Sequence, residues 1–167
     1  MAAKNPYTCA LRFTGCVATL SAALALGTAR QIVYFSDKVS IRIEYSDLTS
    51  YRCLLVVNII ACVYSFAISL LPRNSLLWRS VVIVDAMLMA LLASSNAAAL
   101  GVVCLERNGN SHAGWERICG LAPHYCNHII GAITASFLGV VTFTMLLFIA
   151  INNLLNPLLV QANVQAA

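Results

Sequence analysis

Asp85 stands inside an apolar run, with no other charge in residues 81–84 or 87–92. A carboxylate in a bilayer core costs about 2.5–3.5 kcal/mol, so it must face protein and find a partner. Arg12, at the edge of another apolar run, is the matching cation, because a planar guanidinium engages a carboxylate through two parallel hydrogen bonds. The competing chemistry is a proton or ion relay. Relays need a chain of titratable groups, and no other Asp, Glu, His or Lys falls within a span. Arg12 and Asp85 are therefore read as a structural ion pair, with a transport path lined by Asp85 as the alternative.

A second set of reactive side chains lies in residues 104–128. It holds Cys104, Cys119 and Cys126, the three histidines His112, His124 and His128, and the acids Glu106 and Glu116. Cys119 and Cys126 close a short loop and are the leading disulfide partners if this segment faces an oxidising compartment. Cys104 with Cys53 is a weaker pairing. Zinc is conceivable from these residue types, but the spacing is not a standard one and a disulfide would consume the thiols, so no metal is expected. No nucleophile motif, phosphate loop or HExxH occurs, and a short loop cannot easily build a water-excluding pocket. The reading is a non-enzyme without a cofactor. Trp115 and Tyr125 are expected to cap this loop onto helix ends or to join the aromatic belt. Cys16 and Cys62 read as mid-membrane packing residues, and Cys9 as a candidate for palmitate.

The elements that position these residues follow from charge spacing. The chain has 167 residues, 60% of them hydrophobic and only 10% charged, where a soluble domain carries about 25% charged residues. Mean hydropathy is +0.83. The charges cluster and leave four apolar stretches, at about 9–29, 53–71, 81–103 and 129–151. Each suits a helix of ~20 residues crossing a ~30 Å core. Backbone amides in hydrocarbon must be satisfied within the segment, so these are helices; a β-barrel would show ~10-residue alternating strands, and nothing in the chain is read as alternating. The first stretch is too long for a cleaved signal peptide. The expected fold is an all-α membrane protein, a single four-transmembrane-helix bundle. Its loops are at about 30–52 and 104–128.

Depth selects the ion pair. Asp85 follows Arg79 by six residues, ~9 Å along a helix, which matches the depth of Arg12. Arg30 lies eighteen residues beyond Arg12, ~27 Å further, and can snorkel to water. Lys4 and Arg12, and then Arg73 and Arg79, carry positive charge without acids, whereas the two larger loops are mixed. By the positive-inside rule both termini are cytosolic and both larger loops face outward. The net charge of +4 reflects this asymmetry, and no basic stripe points to nucleic acid.

Small residues recur at every fourth position. Gly15, Thr19, Ala23 and Gly27 form the first such stripe. Ala86, Ala90, Ser94 and Ala98 form another, and Gly131, Ala135 and Gly139 a third. Such stripes let helix backbones approach closely, within the bundle or between copies. The first is read as the self-association stripe.

Several stretches in order resemble the plant Casparian strip membrane domain protein-like (CASP-like) family, four-span relatives of the MARVEL type. These are Leu11 with Arg12, then Tyr45, Ser46, Asp47 and Leu48, then Tyr51 with Arg52, then Asn58 through Tyr64 and Ser65. Asp85 follows with the alanine-rich residues 94–99. Asn108, Gly109, Asn110 and Ser111 precede Trp115, Cys119 and Cys126. The resemblance implies a non-enzymatic plasma-membrane scaffold forming homodimers or higher homo-oligomers, and hetero-oligomers with other CASP-like proteins. It implies a membrane domain that positions local cell-wall modification. It carries the family's arginine and aspartate onto Arg12 and Asp85, and its loop cysteines onto Cys119 and Cys126. The histidines match no family pattern. The segment 35–51 departs from true Casparian strip members, so no role in the strip itself is implied. A small transporter or channel subunit is the alternative, and adhesion through the loops a third reading. No span is broken by Pro or paired Gly as transporter sites often are.

Overall fold

The computed structural model describes residues 6–36, 39–70, 75–115 and 117–165. Lys4, Asp37, Lys38, Arg73 and Glu116 of the charge count lie outside them, as does the side chain of Arg79. Helix α1 covers Pro6–Gly27, α2 Thr49–Leu70, α3 Ser75–Asn108 and α5 Pro123–Gln165, with a single turn α4 at Ile118–Leu121. Stretches of four of these are long and apolar enough to cross a membrane: Tyr7–Gly27, Thr49–Leu70, Ser80–Asn108 and Pro123–Asn153. The protein is a four-helix membrane bundle. α3 has 34 residues and α5 has 43, so they reach ~51 Å and ~65 Å and overrun a ~30 Å core.

Two features depart from the sequence reading. Residues 30–44 are not plain loop but an antiparallel hairpin, β1 at Arg30–Ser36 and β2 at Val39–Glu44, with Arg30 opposite Glu44 and Ile32 opposite Arg42. Its signal was the strict apolar and polar alternation of residues 39–44. Glu106 is not a loop acid. It sits in the last turns of α3 and is buried.

The core has two centres. At the end of the bundle that carries the hairpin, Leu26, Ala29, Tyr51, Leu54, Ala99, Val103, Tyr125 and Ile129 pack together, and Val33, Ile43, Tyr45 and Leu48 seat the hairpin on them. Nearer the end that carries the termini, Ala61, Leu88, Leu92 and Phe143 form the second. α1 packs most extensively on α5. This contact interlocks: a Cβ on Gly15 would stand 3.0 Å from Thr142 Oγ1, and one on Gly139 would stand 3.0 Å from Thr19 Cγ2. A methyl at either position would press on a threonine side chain of the facing helix, which would have to give by a few tenths of an ångström.

That interlock corrects the stripe assignment. Gly15, Thr19 and Ala23 are buried inside the chain, and only Gly27, at the helix end, is exposed. Gly15 and Thr19 of this face meet α5 of the same chain, so that part of it is not open to a second copy. On α3, by contrast, Ala90, Ser94 and Ala98 are exposed.

Candidate functional site

Three polar layers cross the bundle. The first lies toward the termini. Arg12 Nη2 donates to Asp85 Oδ2 at 2.7 Å and Nη1 to Oδ1 at 3.3 Å. Both side chains are buried, at 5% and 2% exposure. The guanidinium also lies over the Tyr64 ring, 5.9 Å from its centroid, within cation–π range. The Tyr64 hydroxyl donates to the Val81 carbonyl at 3.1 Å. One ion pair thus ties α1, α2 and α3 together.

The second layer was missed from the sequence. Asn58 of α2 and Asn96 of α3 each donate an amide hydrogen to Ser136 Oγ of α5, at 3.0 and 2.8 Å. Each amide also donates to its own helix, to Leu54 and Leu92 carbonyls. Both Oδ1 atoms are buried and accept no hydrogen bond among the described residues. The signal was two amide side chains within apolar runs, which in hydrocarbon must find hydrogen-bond partners. Ser136→Ala removes one acceptor from two buried amides. Intramembrane hydrogen bonds average ~0.6 kcal/mol, while a buried polar group left unpaired costs ~1–3 kcal/mol. We expect a total loss of about 1–3 kcal/mol, read as a lowered Tm of the purified protein. Adding Asn58→Leu to Ser136→Ala should then cost less than Asn58→Leu alone, because the shared bond is already gone.

The third layer lies under the hairpin. The Tyr51 hydroxyl donates to Glu106 Oε2 at 2.7 Å, and both residues are buried. Tyr125 is buried beside them, and its hydroxyl has no partner among the described residues. The Tyr125 backbone N–H donates to Gln31 Oε1 of β1 at 3.0 Å, which ties α5 to the hairpin. Tyr125 is therefore a cap on the bundle, whereas Trp115 is exposed.

The loop between α3 and α5 is built from backbone pairing and a crosslink. Asn110 and Trp115 exchange backbone hydrogen bonds at 3.0 and 2.9 Å. Gly109 has φ +69°, and a Cβ there would stand 2.9 Å from the Trp115 carbonyl oxygen, so only glycine fits. Cys119 and Cys126 form a disulfide with Cα atoms 5.6 Å apart. Cys53 and Cys104 are exposed free thiols and are not joined to each other. Cys16 and Cys62 are free, with their sulfurs in contact at 3.4 Å between α1 and α2, and Cys9 is exposed. His124 and His128 pack edge to face at 5.0 Å, while His112 is exposed. Among the described residues no three His, Cys, Asp or Glu side chains converge on a metal position.

The family model of the Casparian strip membrane protein domain matches residues 4–142. CASP-like protein 1C2 of Arabidopsis thaliana is 38% identical over 151 residues, 90% of this chain and 92% of the relative. CASP-like protein 1C2 of Populus trichocarpa is 36% identical over 162 residues, 97% and 99% of the two chains. No solved structure matches. The match spans the ion pair, both buried polar layers and the disulfide, and the chain belongs to the Casparian strip membrane protein domain family.

Proposed function

We propose that the protein is a non-enzymatic scaffold of the plasma membrane, which associates with itself and with CASP-like relatives to organise a membrane domain and guide local cell-wall modification. The observation that carries this reading is the closed Arg12–Asp85 pair. Both charges are consumed by each other inside the bundle, so the pair acts as a clamp between helices. A clamp suits architecture more than transport, where a carboxylate would face a route. The large apolar side chains left exposed on α1, α2, α3 and α5 supply faces for neighbours. The Lys and Arg distribution supports cytosolic termini, with the hairpin and the disulfide loop outward.

The test is co-purification of two differently tagged copies from plant plasma membrane. Wild-type copies are expected to associate, and Asp85→Asn copies to lose that association. Wild-type copies that do not associate would remove the scaffold reading, and a pH- or ion-dependent flux abolished by Asp85→Asn would replace it with transport.

A further inference from the structure

Two thiols that the ion pair and the amide layer leave unused meet between α1 and α2. Cys16 and Cys62 hold their sulfurs 3.4 Å apart, and Cys16 Sγ also lies 3.7 Å from the Cys62 carbonyl oxygen. Both are free thiols. Cys16 stands four residues beyond Arg12, ~6 Å deeper along its helix, and Cys62 ten residues beyond Arg52, ~15 Å, so both lie within the hydrocarbon core. Both are half-buried, and their neighbours Phe13, Val17, Ile59 and Val63 are exposed, so this seam opens onto lipid chains.

We propose that this pair is an oxidative modification site: organic peroxyl radicals formed in the bilayer convert it to a disulfide that fastens α1 to α2. Oxidants in water act on a thiolate, a charge that hydrocarbon does not solvate. A peroxyl radical takes a neutral hydrogen atom and needs no charge. The first radical breaks the S–H bond of one cysteine, forms an O–H bond and leaves a thiyl radical. A second radical takes the hydrogen of the other thiol, and the two unpaired electrons couple as the S–S bond. Two thiols and two peroxyl radicals thus become one disulfide and two hydroperoxides, each sulfur losing one electron with its proton and each radical gaining them. The contact between the sulfurs is what permits the coupling. A disulfide sets them ~2.0 Å apart, so each moves by less than ~1 Å, within the reach of side-chain torsions.

The test uses the full chain in vesicles of saturated phosphatidylcholine, with a lipid-soluble azo initiator warmed in air as the source of peroxyl radicals. Peptide mass spectrometry after thiol alkylation is the readout. The expected product is a peptide pair joined through Cys16 and Cys62, two hydrogens lighter than the sum of its parts. It should form several-fold faster than the exposed Cys53 and Cys104 thiols are lost. A water-soluble initiator at equal radical flux should reverse that order. In Cys62→Ala, Cys16 should gain oxygen instead of a crosslink. The site is overturned if Cys16 and Cys62 stay alkylatable while Cys53 and Cys104 are consumed, or if Cys16 joins a cysteine other than Cys62. It is overturned equally if the water-soluble initiator forms the bond as fast.

Discussion

Asp85→Asn is expected to destabilise the bundle by about 3–5 kcal/mol, because it strands the Arg12 guanidinium without a counter-charge. Two contacts from guanidinium to carboxylate are lost together, and Arg12 is 4% exposed where it stands. The Tyr64 ring cannot compensate, since a cation–π contact contributes ~0.5–2 kcal/mol. Thermal unfolding in detergent and the yield of folded protein measure the loss. The sign reverses when both charges go. Replacing a buried pair by apolar residues of similar volume is often neutral or stabilising by ~1–4 kcal/mol, so Arg12→Met with Asp85→Leu should recover most of the Tm. Wild-type stability in Asp85→Asn alone would show that the pair does no structural work.

Tyr51→Phe should produce the second largest loss, about 2–3 kcal/mol, confined to the hairpin end. Its hydroxyl is the donor that Glu106 Oε2 meets at 2.7 Å, in the range of a hydroxyl bonded to a carboxylate. Phenylalanine keeps the packing against Leu54, Ala99 and Tyr125 but leaves a buried carboxyl oxygen unpaired. Hydrogen exchange should therefore quicken in β1, β2 and the first turns of α5, while the Arg12 end stays protected. Glu106→Leu added to Tyr51→Phe should restore protection, because nothing polar then remains to satisfy. Uniform loss of protection across both ends would contradict a local role.

These two predictions also mark what the sequence made legible. The ion pair was readable because charges are rare here: a lone Asp in a span demands a cation at equal depth, and Arg12 alone met that condition. Cysteine spacing made the Cys119–Cys126 crosslink readable. Glu106 was misplaced because a charge was taken to mark a loop, although twenty-one residues beyond Asp85 is only ~31 Å of helix. The layer formed by Asn58, Asn96 and Ser136 was not legible because uncharged amide and hydroxyl side chains leave no mark in a charge map. The small stripe on α1 was readable as a packing face but not as to its partner. Gly15 and Gly139 declare close approach, and only the fold reveals that the approaching helix is the chain's own α5.

The interlock of α1 with α5 also sets an order for biosynthesis. Gly15 meets Thr142 and Thr19 meets Gly139 across more than a hundred residues of chain. When α1 enters the bilayer its partner helix has not yet been translated, and the notch at Gly15 is filled by lipid. Arg12 gains its counter-ion once α3 has followed, so the clamp closes before the ring of helices does. α5 then arrives as the keystone. A ribosome stalled ahead of Gly139 would leave a three-helix assembly already held by its ion pair but open along one side, with Asn58 and Asn96 facing lipid.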